Sequence, residues 1–300
     1  MAVATPSAPV DPEAGARLAR EPGSGSRFHA CPPAPGCPHC AGAGAAPAAR
    51  FGWSGLDAVY CISLTSRPDR AAEAARELHR VGLCALARFH RPERHPRSPR
   101  RGIWQAHRDV ASEALARAHA RVLILEDDVL FRAGFSARDA RRIGAALARL
   151  PAGWLGFYLG HWPLAAHFAG WRILRSASLC THAYVASRGL LEWLAATPFA
   201  KTGIPRSRIG GLGIDSAFAA LPGMYAYFPM VAVQRDSPHD HVRLDRPRRL
   251  RARLRDRLLA RGMRASELAA VALSPLVWAA RAARALAARA RPARVRAAAR

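Results

Sequence analysis

Between residues 58 and 197, short apolar runs alternate with segments of helical period, and few folds accept that pattern. AVYCISL from Ala58, RVLIL from Arg121, WLGFYLG from Trp154 and THAYVAS from Thr181 read as strands. Ala71 to Val81, Gly102 to Ala118, 136 to 149 and GLLEWLAAT from Gly189 read as helices. A strand that is apolar on both faces has to be covered on both faces. The expected fold is therefore α/β, an open, mainly parallel sheet flanked by helices. In Gly102 to Ala118, the residues Trp104, His107, Ala111, Ala114 and Ala118 recur at helical spacing, which turns His107 inward. Leu83 to Arg101, with three prolines and many arginines, is expected as a loop.

The flanks differ from this core. Residues 1–52 are rich in Pro, Ala, Gly and Ser without periodicity and are expected to be a disordered leader. Residues 53–245 form the expected domain. From 246 to 300 there are sixteen arginines against two acids, Asp256 and Glu267, in Ala- and Leu-rich stretches of helical character. Within the domain, KTGIPRSRIGGLGID reads as a glycine-rich loop ending at Asp215, where a short helix starts, and MYAYFPMVAVQ reads as one strand. The longest apolar stretch, Leu268 to Ala280, is too short to span a bilayer. No secretory pattern opens the chain, and the cysteines suggest no disulfide framework; the expected location is the cytoplasm.

A net charge of +25 raises nucleic-acid binding as a function. Composition argues against it. Lys201 is the only lysine among 46 basic residues, and the arginines lack the interleaved aromatics of a base-stacking surface. Of the six cysteines, Cys31, Cys37 and Cys40 fall in CPPAPGCPHC, where the CPHC pair with His29 or His39 would suit zinc. A second CxxC is missing, so a stray cluster in the leader is the expectation. Cys61, Cys84 and Cys180 sit in apolar contexts and read as core residues.

The strand RVLIL runs straight into Glu126, Asp127 and Asp128. In an extended stretch Glu126 and Asp128 share one face and Asp127 takes the other. Carboxylates so gathered repel unless a cation joins them, and oxygen-only ligation suits Mg2+ or Mn2+. Ligands of open α/β sheets bind beyond the carboxyl ends of the strands, where this triplet lies. A solvated turn is the plain alternative; against it, Asp139 and Glu192 are the only acids between Phe131 and Ile214. A phospho-receiver pocket also begins with paired acids at a strand end, but no Asp follows at the required distance.

The order VYCISLTSRPDR, RGIWQAHRDVASEAL, VLILEDDV, THAYVASRGLLEWL, then GID followed by YFPMVAVQRDS resembles glycosyltransferase family 25, the lipopolysaccharide-type galactosyl and glucosyl transferases, over residues 57 to 240. Where that family's helix carries Gly-Cys-x-x-Ser-His, this chain keeps Gly102 and His107, and Gly156 stands where an acid is common. The resemblance implies a GT-A fold, a nucleotide-sugar donor, a saccharide or lipid-linked saccharide acceptor, and inversion at the anomeric carbon.

On that reading Glu126 and Asp128 orient Mn2+ or Mg2+, and Asp127 contacts donor sugar or ribose. Arg67, Arg70 and His107 bind the donor, the arginines as bidentate partners of its phosphates. Asp215 is the first candidate for the catalytic base, ahead of Glu192, Asp236 and Asp240; His239 and His241 are candidate further metal ligands. The basic tail is expected to bind an anionic membrane surface, with Leu268, Val271, Leu276, Val277 and Trp278 entering the interface. The competing reading is a noncatalytic, degenerate transferase fold that binds membrane or nucleic acid through the tail.

Overall fold

The computed structural model describes residues 27–34, 37–40, 51–199, 213–235, 261–273 and 275. In chain order these form β1 (Phe28–Ala30), β2 (Ala58–Ile62), α1 (Pro68–Arg80), β3 (Ala87–His90), α2 (Pro99–Ala116), β4 (Arg121–Glu126), β5 (Val129–Phe131), α3 (Ala137–Leu147), β6 (Gly156–Gly170), β7 (Ile173–Ser187), α4 (Arg188–Ala196), α5 (Ile214–Ala220), β8 (Met224–Tyr227) and β9 (Ala232–Gln234). A further helix, α6, covers 261–273.

Seven strands make one sheet in the order β1-β3-β2-β4-β7-β6-β8. Five of them, β2, β3, β4, β6 and β8, run one way; β1 and β7 run the other. The sheet is thus mixed, with the expected parallel majority and an antiparallel strand, β7, set into its middle. Alternation along the strands splits the interior in two. Val59, Cys61, Leu123 and Leu125 face α1 and α3 through Ala74, Leu78, Ile143 and Leu147. Ala58, Tyr60, Val122 and Ile124 face α2, α4 and α5 through Trp104, Val110, Leu190, Leu194 and Phe218. Each fully buried Leu or Ile here is worth about 2 kcal/mol in apolar transfer, so helices are fixed on both faces.

Helix starts follow local chemistry. Pro68 and Pro99 open α1 and α2, where a missing N–H costs nothing. Ser98 and Ser187 cap α2 and α4, accepting from the N–H groups of Arg101 and Leu190.

Several expectations are corrected. The proline-rich segment after Leu83 contains β3, whose inner side chains are buried between neighbours. The strands expected at 154–160 and 181–187 belong to a long hairpin of two 15-residue strands, which turns at Trp171 and Arg172. Its outer half carries exposed Trp162, Leu164 and Phe168, so no clean alternation marks it. MYAYFPMVAVQ is two strands: Pro229 has no N–H for a ladder, and β9 leaves the main sheet to pair with β5.

Order also begins earlier than residue 53. β1 pairs antiparallel with β3, and the N–H of Cys31 donates to Ala87 O at 3.0 Å, so this part of the expected leader is a sheet edge. At the other end, α6 docks on the domain. Glu267, buried, accepts from the Met230 N–H and stands 3.0 Å from Nε2 of buried His161, while Met263 packs on Met230 and Val233. Leu268 and Leu273 remain exposed. Residues 246–260 and 276–300, with Leu276, Val277 and Trp278, lie outside the described residues. Among the described residues no helix is long and apolar enough to cross a membrane.

Candidate active site

A cleft of about 400 Å³ opens at the carboxyl ends of β2 and β4, which lie side by side with Ile62 opposite Glu126. Its lining includes Arg70, His107, Glu126, Asp127, Asp128, Thr181 and Asp215. Six of the seven residues expected from the sequence converge here, from α1, α2, the end of β4, the turn beyond it and α5.

The acidic triplet departs from the expected geometry. β4 ends at Glu126, and Asp127 and Asp128 form the turn into β5, so strand alternation does not extend across them. Arg70 reaches from the first turn of α1 and holds both, Nε at 3.0 Å from Asp127 and an Nη at 3.0 Å from Asp128. This one guanidinium does not neutralise the group. Burial and the neighbouring Glu126 push Asp128 up to about 7, against the pull of Arg70. Asp127 is raised as well, mainly by burial. Oδ1 of Asp128 is buried without a hydrogen-bond partner among the described residues.

Glu126 and Asp215 are joined by a residue that no sequence pattern marks. Thr181 Oγ1 lies 2.8 Å from Glu126 Oε1 and 3.2 Å from Asp215 Oδ1. The hydroxyl proton can be given to either carboxylate, to one at a time. The two acids differ in basicity. Burial and Glu126 push Asp215 up to about 6. Burial also opposes ionisation of Glu126, but His107, Thr181 and His182 outweigh it and hold Glu126 below its ordinary value.

Thr181 reaches this place because the hairpin breaks register there. β6 pairs Gly160 with Ala183 and then Trp162 with Leu179, leaving residues 180–182 out of the ladder. Cys180 takes φ 72°, a left-handed conformation that costs a non-glycine residue about 1 kcal/mol or more. Burial, then Asp215, raise the Cys180 thiol well above its ordinary value, so it is not a thiolate nucleophile at neutral pH.

His107 is fully buried, as the helical spacing predicted. Its Nδ1 is 2.8 Å from the hydroxyl of Tyr184, and Nε2 stands 3.6 Å from Glu126. Tyr184 keeps its proton, because burial lifts it well above the ordinary phenol range. With that O–H donating to Nδ1, the Nε2 proton faces Glu126.

Arg67 is the expected residue that does not line the cleft; it precedes α1 and forms a two-point pair with Asp69 at 2.9 and 3.0 Å. Glu192 pairs with Arg188 on the exposed side of α4, away from the cleft. Asp236, His239, Asp240, His241 and the loop 201–212 lie outside the described residues.

A mixed α/β sheet with a carboxylate-rich cleft beyond its parallel strand ends is the class that fold and site define. No protein-family model matches the chain, so membership of glycosyltransferase family 25 is not supported by one. No curated protein matches it either. Nine chains of solved structures are similar in part, the following two among them. One is a glycosyltransferase involved in the glycosylation of the major capsid of PBCV-1, with 13% identity and a TM-score of 0.28. That likeness covers 46% of this chain and 63% of the viral enzyme's. The other is A197 from STIV, with 12% identity and a TM-score of 0.31, covering 63% of this chain and 98% of that one. Likeness at this level defines neither family nor activity.

Proposed function

We propose that the chain is a metal-dependent, inverting glycosyltransferase of GT-A type, moving a hexose from a nucleotide-diphosphate sugar, a UDP-sugar first, to a saccharide acceptor of the cell envelope. The observation that carries this reading is the convergence of four carboxylates in one cleft at the strand ends, two of them held by Arg70. A folded protein keeps so many buried acids together when their charge serves a ligand.

Carboxylate oxygens are the donors that suit a hard divalent cation. The donors are all oxygen, and Asp128 Oδ1 is buried with no partner among the described residues. Asp128 and Glu126 would hold Mn2+ or Mg2+. Such an ion supplies positive charge to the departing diphosphate. Arg70 suits the same donor phosphates, and Asp127 beside it suits a sugar or ribose hydroxyl.

Asp215 serves as the base. It takes the proton of the acceptor hydroxyl while that oxygen bonds to the anomeric carbon and the bond to the diphosphate breaks on the opposite face, which inverts the centre. A carboxylate near pH 6 is ionised at neutral pH yet remains more basic than an ordinary aspartate. Thr181 and Glu126 position it. His107, fixed by Tyr184, keeps Glu126 charged. Exposed Leu268 and Leu273 on α6, in a tail whose sequence carries sixteen arginines, support contact with an anionic membrane carrying a lipid-linked acceptor.

The test is release of nucleoside diphosphate from a panel of nucleotide sugars with Mn2+ or Mg2+. Activity that Asp128→Ala removes is the expected result. Absence of turnover and of any donor- or metal-induced thermal shift would leave a noncatalytic protein as the better reading.

A further inference from the structure

Away from the cleft, the N-terminal segment and the end of α1 bring three thiols and an imidazole together. Cys37 Sγ and Cys40 Sγ each lie 3.3 Å from Nδ1 of His79, and 3.8 and 3.7 Å from Cys84 Sγ. All four atoms fall within 4.8 Å of one another. A tetrahedral cation with bonds of about 2.3 Å to sulfur and about 2.0 Å to nitrogen would set S···S edges of about 3.8 Å and S···N edges of about 3.5 Å. The four edges given above match such a tetrahedron to within about 0.2 Å. They are far from the roughly 2.05 Å bond of a disulfide.

We propose that Cys37, Cys40, His79 and Cys84 form a structural zinc site that fastens the N-terminal segment to the sheet edge.

Local structure builds the site from two short pieces. Cys37 and Cys40 flank a turn closed by Cys40 N–H to Cys37 O at 3.2 Å. His79 sits in the last turn of α1, and the chain then reverses at Gly82, φ 70°, to bring Cys84 back beside it. A Cβ at Gly82 would meet the Phe51 ring at 2.4 Å, so glycine is required for both conformation and space.

The imidazole is oriented for a metal. Its Nε2 lies 2.9 Å from the carbonyl oxygen of Pro32, which only accepts, so Nε2 carries the proton and the Nδ1 lone pair points at the thiols. That lone pair can accept from one thiol, yet two sulfurs stand at equal distance. A central cation satisfies all four atoms at once. Three sulfurs and a nitrogen are a soft set that favours zinc over Mg2+ or Mn2+, and four protein ligands leave no open position, which marks a structural site. Uptake displaces three thiol protons to solvent and leaves three thiolates on the ion.

Sequence spacing hid the second half. His79 and Cys84 are five residues apart and some forty from the CPHC turn, unlike a finger or ribbon, and Cys84 alone reads as a core residue. Cys31 is the built-in control, since it lies 4.0 Å from the protonated Nε2, the other ring nitrogen from the one the thiols share.

The full chain, purified under reducing conditions, should carry one zinc by elemental mass spectrometry. Cobalt(II) exchange should give thiolate charge-transfer absorption with tetrahedral d–d bands. Cys40→Ser and Cys84→Ser should lower zinc content at least tenfold, and Cys31→Ser should retain it. His79→Cys should retain the metal and raise the charge-transfer intensity by about a third, as three thiolates become four. A wild-type chain that lacks zinc and gives no thiolate–cobalt bands would overturn the proposal. So would loss of zinc in Cys31→Ser equal to that in Cys40→Ser, or a disulfide linking two of the three ligand cysteines in the freshly purified protein.

Discussion

Arg70 and Asp128 meet at 3.0 Å inside the cleft, and the pair leaves the second oxygen of Asp128 buried with no hydrogen-bond partner among the described residues. Arg70 thus pairs with Asp127 and with one oxygen of Asp128, while Glu126 adds repulsion. The site is charged before any ligand arrives, and most of its testable behaviour follows from that.

Replacing Arg70 by Met removes the guanidinium that pairs with both aspartates. Breaking a buried pair from one side costs about 3 kcal/mol or more, and the loss should be larger at pH 8 than at pH 5, where the acids accept protons. Thermal unfolding at the two pH values measures it. Equal losses at both would contradict the electrostatic account.

The pH dependence of Asp128 has a definite sign. Its value rises from 3.8 in the ordinary carboxylate to about 7 in the folded state, so the protonated form favours folding. That contribution is complete below about pH 4 and is lost as pH rises through about 7. Asp128→Asn abolishes this slope, so the metal-free variant should unfold at a higher temperature than the parent at pH 8. The same variant should show no stabilisation by Mn2+. A parent protein whose stability climbs between pH 5 and 8 would refute the assignment.

Asp215→Asn keeps the shape of the cleft and removes the base. Transfer should fall by about 10²- to 10⁴-fold while donor binding, followed by calorimetry, stays within a factor of a few. Loss of binding together with turnover would place Asp215 on the donor instead.

Thr181→Val conserves volume and deletes the hydroxyl shared by Glu126 and Asp215. That hydroxyl lowers Asp215, so its loss raises the group further above about 6. The acidic limb of the pH–rate profile should move to higher pH in the variant, with the plateau less affected. An unmoved limb would separate Asp215 from the titration.

Glu267→Ala tests the docking of α6. It strips the Met230 N–H and His161 of a buried partner, at about 1–3 kcal/mol for each unsatisfied group. A lower melting temperature and earlier proteolytic release of α6 are expected, and Glu267→Gln should recover part of the loss.

What could be read from the sequence was whatever depends on local period. The apolar runs of β2 and β4, the inward face carrying Trp104 and His107, and helices on both sides of a sheet follow from side-chain spacing, and the structure has each of them. The acids at the end of β4 were legible for the same reason: a strand that must be buried makes any charge at its end conspicuous. Their geometry was not, because the chain turns after Glu126 and a turn erases the alternation on which the expected pairing of Glu126 with Asp128 rested.

Tertiary structure alone decided the rest. Thr181 enters the site through a register break in a hairpin whose outer half lacks amphipathic alternation, so no window of sequence marks it. Arg67 and Arg70 are equivalent as residue types, three positions apart; the direction of the first turn of α1 sends one into the cleft and leaves the other with Asp69. Cys84 lies among apolar neighbours and looks like core until the reversal at Gly82 sets it beside His79 and the CPHC turn. Periodicity fixes which face of an element is buried, but contacts between residues distant in sequence depend on how elements cross, and both the cleft and the thiol cluster are made of such contacts.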